Sequence, residues 1–191
     1  MSGNDVKAAS DHDRVLAAAD HLFYTRGIQA VGMDAVRTEA GVPLKRLYAN
    51  FPSKQALVLA VLERRSEQWR DGLDKAIAAA PSPRAKLLAV YDFLSEWFQQ
   101  DDFRGCAFIN AFGELGSVQP DVASAVRAQK HGFQEQASAL AVEFGAPAEL
   151  GAQLALLAEG AQTTAAIDGS PAAARVARSA ACVLIDAAGI A

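Results

Sequence analysis

Three cations stand where helix ends already attract anions. Pro43 can open a helix at a position that needs no backbone N–H, which puts Lys45 and Arg46 in its first turn. Ser53 is a good N-cap, which puts Lys54 at the opening of the following helix. The helix macrodipole disfavours each of these cations by about 0.3–1 kcal/mol unless an anion is close. With a phosphate nearby the placement becomes favourable, because free N–H groups and the side-chain charge point at the same ligand. A duplex backbone would satisfy all three at once; solvated surface charge is the plainer account of any one alone.

The charge distribution supports the first account. The formal net charge is −4, yet residues 1 to 65 hold nine Lys/Arg against seven Asp/Glu, so the acid sits in the remainder. Between Gly41 and Leu62 there is no Asp or Glu at all. Other chemistry finds little support. Walker A, HExxH, GxSxG and GxGxxG patterns are absent, and the three histidines are scattered without an evident carboxylate or cysteine partner. Cys106 and Cys182 lie far apart without metal-ligand spacing, which suits reduced packing residues; no metal and no cofactor are expected.

Elements that position these residues follow from the spacing of apolar positions, which is helical almost throughout. The expected fold is all-α with about nine helices: an N-terminal three-helix module fused through a long fourth helix to a larger C-terminal bundle. The first helix is read over about 12–26, ended by Gly27, and a short second over 33–39. After the sharp turn at Gly41 comes Pro43–Asn50, buried through Leu47 and Phe51, then the fourth helix from Lys54 to about Ala80. Breaks at Gly105, Pro120, Pro147 and Pro171 divide the rest into helices at about 84–100, 105–116, 120–144, 147–167 and 171–188. Three short helices joined by tight turns, the third basic, match the helix-turn-helix plan. The expected division is 1–53 for this module and 54–191 for the remainder.

The run AGVPLKRLYANFPSKQALV, residues 40 to 58, resembles the signature of the TetR family of bacterial transcriptional regulators, and the likeness extends back through VLAAADHLFYTRG. The resemblance implies that Gly32 to Phe51 is the helix-turn-helix and that the helix from Pro43 to Asn50 enters the major groove. It implies that Leu44, Lys45, Arg46 and Asn50 approach base edges or adjacent phosphates, and that Tyr48 and Lys54 bind backbone phosphates. Gly32, Met33 and Pro43 complete the expected DNA-binding set. Two of these depart from the family pattern: Pro43 stands where Ser or Thr is common, and Gly32 where Thr is frequent. Arg37 likewise replaces a usual small residue. Tyr48 also admits a core reading with a wet tip.

The resemblance further implies a C-terminal region that binds a small inducer and forms a homodimer. Aromatic residues gather in the middle helices, and Phe93, Trp97, Phe108, Phe112 and Phe133, with Asn110 as a polar group, are the expected ligand contacts. Core packing is the leading account of any one ring, exposed helix polarity explains Asn110 equally well, and His131 reads as a surface or partner-satisfied residue. RGCAFINAFGE, residues 104 to 114, also resembles a stretch of some TetR-type regulators. Small residues at helical spacing suggest a four-helix dimer interface through Leu154, Ala158, Gln162 and Ala165, with Val176, Ala180, Val183 and Leu184.

Together these readings point to a sequence-specific DNA-binding regulator rather than an enzyme, a repressor released from a palindromic operator by a small, mostly apolar ligand. An all-α carrier or scaffold is the alternative, but it would not need the acid-free basic window. No apolar run approaches a membrane span, and MSGNDVKAAS holds no stretch fit for a signal peptide, so the expected location is cytoplasmic, with no membrane partner.

Overall fold

The computed structural model describes residues 10–188. Residues 1–9 and 189–191 lie outside the described residues. Among the described residues there are nine helices: α1 (Asp11–Arg26), α2 (Met33–Ala40), α3 (Leu44–Asn50), α4 (Lys54–Ala79), α5 (Pro83–Trp97), α6 (Ala107–Leu115), α7 (Pro120–Phe144), α8 (Ala148–Asp168) and α9 (Ala172–Ala187). Two compact units divide the chain, Met1–Arg64 and Arg65–Ala191, and the division falls within α4. It lies past residue 53 because Leu57, Val58, Val61 and Leu62, in the first turns of α4, are buried core of the first unit.

Local chemistry sets the boundaries. Ser10 caps α1, its hydroxyl accepting from the Asp13 N–H at 3.1 Å and donating to the Asp13 carboxylate at 2.8 Å. That hydroxyl, and then His12, hold the Asp13 carboxyl below its ordinary range. Ser53 caps α4 by accepting from the Ala56 N–H at 3.0 Å, and Ser82 caps α5 by accepting from Ala85 at 3.2 Å. Gly41 follows α2 at φ 63° and ψ 36°, a left-handed conformation that a β-carbon disfavours.

Two boundaries differ from the sequence expectation. α5 stops at Trp97 and α6 starts at Ala107, leaving a longer connection than expected. Turn hydrogen bonds from Gln100 to Trp97 and from Phe103 to Gln100 replace the helical ladder there, and Gly105 takes φ 85°.

In the first unit, α1 packs on α2 and α3 around Val15, Ala19, Leu22, Val36 and Leu47. In the second, α7 and α8 pack most extensively, with α9 against α8 and α5. Arg178 pairs with Asp92 at 2.7 Å and Arg84 with Asp186 at 2.7 Å, joining α9 to α5 at its exposed rim.

Candidate nucleic-acid interface and aromatic interior

α3 is pinned by one side chain. Leu47 is fully buried, so a seven-residue helix with a single inward anchor turns most of its other positions to water. Leu44 and Tyr48, 43% and 45% exposed, stand one turn apart on the outer surface, with Pro43, Lys45 and Arg46 also exposed. Tyr48 is therefore not a core ring. Gly32 is exposed at the start of α2 with open space where a β-carbon would project, so the departure there is not forced by crowding. Met33 is half-buried.

The cations find part of their compensation inside the chain. The Arg46 guanidinium lies 3.4 Å from the Asp11 carboxylate, whose other oxygen meets Arg14 at 2.5 Å. Asn50 is turned back, its amide donating to the Arg46 carbonyl at 2.8 Å. Lys54 donates to the Gln29 carbonyl at 3.5 Å. Asp11 was not visible as a site residue from sequence, because the pairing spans α1 and α3. Arg46 is still 70% exposed, so the pair is a loose tether rather than a burial.

In the second unit the rings converge on a residue the sequence reading passed over. Trp69, on α4, meets Phe93 at 5.3 Å, Trp97 at 5.6 Å and Phe133 at 5.6 Å between ring centroids, each edge-to-face. Phe103 extends the cluster through Trp97 at 5.1 Å and Phe98 at 4.8 Å. The indole nitrogen of Trp69 is buried without a hydrogen-bond partner. Periodicity on α4 could have placed Trp69 beside Leu73, one turn on, but helix α4 was read only as a connector. Nearby, Tyr91 is fully buried and donates to the Leu154 carbonyl at 2.8 Å, and burial pushes its phenol pKa up. A small cavity of about 10 Å³ lies among Leu87, Val90, Tyr91, Phe133 and Leu154, room for about one water-sized sphere.

The expected ligand set divides accordingly. Phe93, Trp97 and Phe133 share the Trp69 cluster, and Phe108 is buried. Asn110 and Phe112 do not face the interior: Asn110 is exposed and donates to the Arg104 carbonyl at 3.1 Å, and Phe112 is 45% exposed. Their positions on a short helix with Phe108, Ala111 and Leu115 inward turn them to water. His131 is exposed.

The expected dimer set needs a correction on α8. Leu154, Ala158, Gln162 and Ala165 are buried against their own chain and offer no surface to a partner. The small-residue stripe serves the α7–α8 crossing instead: a β-carbon on Gly151 would overlap the backbone of Ala137 and Ser138. The outward stripe of α8 is Leu156, Gly160, Thr163 and Ile167. On α9, Val176 and Val183 are exposed, and Ala180 and Leu184 are half-buried.

Comparison with known proteins extends these observations. Residues 15–61, from α1 into α4, match the family model described as "Bacterial regulatory proteins, tetR family". The chain is 31% identical over 125 residues to the HTH-type transcriptional activator FasR of Mycolicibacterium smegmatis, covering 65% of this chain and 56% of that one. It is 27% identical over 122 residues to the HTH-type transcriptional repressor NemR of Escherichia coli, covering 61% of each. These matches span less than two thirds of those relatives. A crystal structure of a TetR-family transcriptional regulator from Streptomyces coelicolor superposes with a TM-score of 0.88 at 26% identity, covering 93% of this chain and 95% of that one. The helix-turn-helix region is thus similar in sequence to the TetR family of bacterial regulatory proteins, and the helical layout along most of the chain is similar to that of a solved TetR-family regulator.

Proposed function

We propose that this protein is a transcriptional regulator that binds a palindromic DNA operator as a homodimer and is not an enzyme. The observation that carries the reading is the outward face of α3, where Leu44, Lys45, Arg46 and Tyr48 stand exposed around the single anchor Leu47. Such a helix suits the major groove, with side chains for base edges and cations for the flanking phosphates. Residues 1–53 carry DNA recognition in this reading, with Lys54 at the next helix start reaching a phosphate. Residues 54–191 carry ligand response and self-association, and two recognition helices sit one helical turn apart, about 34–36 Å.

Self-association is assigned to the outward stripes, Leu156 and Ile167 on α8 with Val176 and Val183 on α9, because these large apolar side chains are 65–78% exposed on neighbouring helices. Ligand response is assigned to the aromatic interior around Phe93, Trp97 and Phe133. The output is repression relieved by a small, mostly apolar ligand; the relatives include a named activator and a named repressor, so expression of a reporter behind the selected operator is the measurement that decides its sign. No described helix is long and apolar enough to cross a membrane, which accords with a cytoplasmic regulator.

Selection from a random duplex pool, followed by gel shift, tests the reading. A palindromic consensus bound by a dimer is expected. A carrier or scaffold would enrich no sequence, and that result would end the assignment.

A further inference from the structure

The interior of the second unit holds an unmet hydrogen-bond donor in an aromatic wall. Trp69 meets three rings edge-to-face, yet its indole nitrogen is buried and has no partner. A buried donor left unsatisfied is costly, and a ring face is a poor substitute for a lone pair. The rings themselves carry no charge, and the part-buried Lys130 and Glu159 of the same unit lie 3.7 Å from each other, so an ionic ligand would have to separate them to gain a counter-charge. Gly72, one turn along α4 on the same side, lets the Phe93 ring lie against the helix where a β-carbon would stand 2.7 Å from it. The inner wall is thus close-packed. The rim is different: Phe103 is half-buried on the connection between α5 and α6, where turns replace the helical ladder, and its ring closes over Trp97 and Phe98.

We infer that the effector is a planar, uncharged aromatic molecule bearing a hydrogen-bond acceptor such as a carbonyl, which displaces the Phe103 ring, stacks among Trp97, Phe93 and Phe133, and accepts from the Trp69 indole N–H. This rests on the ligand-binding reading above and names the chemistry of that site. The acceptor supplies specificity and the rings supply area, the usual division of labour in an apolar pocket. Trp69 is the specificity-determining residue; Phe103 is the plug.

Two probes differing by one atom at the acceptor test it: 2-acetylnaphthalene and 2-isopropenylnaphthalene, in which a methylene replaces the carbonyl oxygen. Their dissociation constants are measured by calorimetry on the full-length protein and on Trp69→Phe, which keeps an aromatic ring and removes the donor. The ratio of affinities, acetyl over isopropenyl, is expected to fall about five- to tenfold in the variant. An unchanged ratio overturns the role of Trp69 while leaving the pocket standing; no binding of either probe to the parent protein overturns the pocket as well. A second measurement is made on the parent protein. The chain has two tryptophans, so nitrogen-15 spectra show two indole N–H signals, and the one lost in Trp69→Phe is that of Trp69. The Trp69 signal is expected to move downfield with the acetyl probe and not with the isopropenyl one; equal movement with both sinks the hydrogen bond.

Discussion

The two units treat their most informative side chains in opposite ways. In the first, α3 is held by Leu47 alone, and its neighbours in sequence stand in water as a row of cations and an aromatic ring. In the second, residues from α4, α5 and α7 meet in one ring cluster, while α8 turns its small residues inward with Leu150 and Leu154 and leaves Leu156 and Ile167 out. The contrast separates two kinds of legibility. A recognition surface built on one short helix is written in consecutive residues; a pocket and an interface depend on which face of a long helix each neighbour claims.

The largest test of this contrast falls on the outward stripes. Ile167 is 78% exposed and Val183 66% exposed, so a charge at each costs little in an isolated chain and much in a buried interface. Ile167→Glu combined with Val183→Glu is expected to give a folded monomer by light scattering, with operator affinity reduced by roughly a hundredfold or more because the two half-sites are no longer bound together. A double variant that remained dimeric would move the interface elsewhere on the molecule.

Next in size is a pair of glycines. Gly151 lies where a β-carbon would overlap the α7 backbone, and Gly132, on α7, has nothing within 4 Å of that position. Gly151→Ala is expected to destabilise by about 1–3 kcal/mol, as an overpacked core position does. Gly132→Ala is expected to stabilise by up to about 1 kcal/mol through helix propensity. Urea unfolding compares the two. Equal effects would mean that the inward stripe on α8 is not a close helix crossing.

Those glycines also mark where sequence reading stopped. The spacing of Gly151, Ala155 and Ala158 does signal close helix approach, and α7 of the same chain takes that approach. Spacing describes a face and is silent on whose face meets it. The same limit hid Trp69, whose partners lie on α5 and α7, and Asp11, which meets Arg46 across from α1 to α3. Caps and turns are another matter. Ser53, Gly27 and Gly41 act on their own neighbours, so the helix order was legible throughout, and the difference at residues 98–100 came where apolar periodicity continued past the end of α5.

A smaller effect is expected at the recognition surface. Lys54→Ala should weaken every duplex alike and lower the slope of log affinity against log salt by about one, as for the loss of one phosphate contact. Arg46→Ala should instead relax preference at one base position. An unaltered salt slope removes Lys54 from the phosphate contacts.

The smallest expected effect is the most particular to this chain. Asp11 holds Arg46 at 3.4 Å and Arg14 at 2.5 Å, so a carboxylate occupies part of the field that a DNA phosphate would meet. Operator binding must exchange that partner for a phosphate. The exchange is cheap: Arg46 is 70% exposed, and surface pairs of this kind contribute about 0.2–1 kcal/mol. Asp11→Asn keeps the shape, removes the charge, and is therefore expected to tighten operator binding by up to about fivefold at low salt. The gain should shrink in the Arg46→Ala background, where Arg14 is the remaining partner that the substitution frees. If Asp11→Asn tightened binding equally with and without Arg46, the effect would be a general change in surface charge, and the tether between α1 and α3 would have no part in recognition.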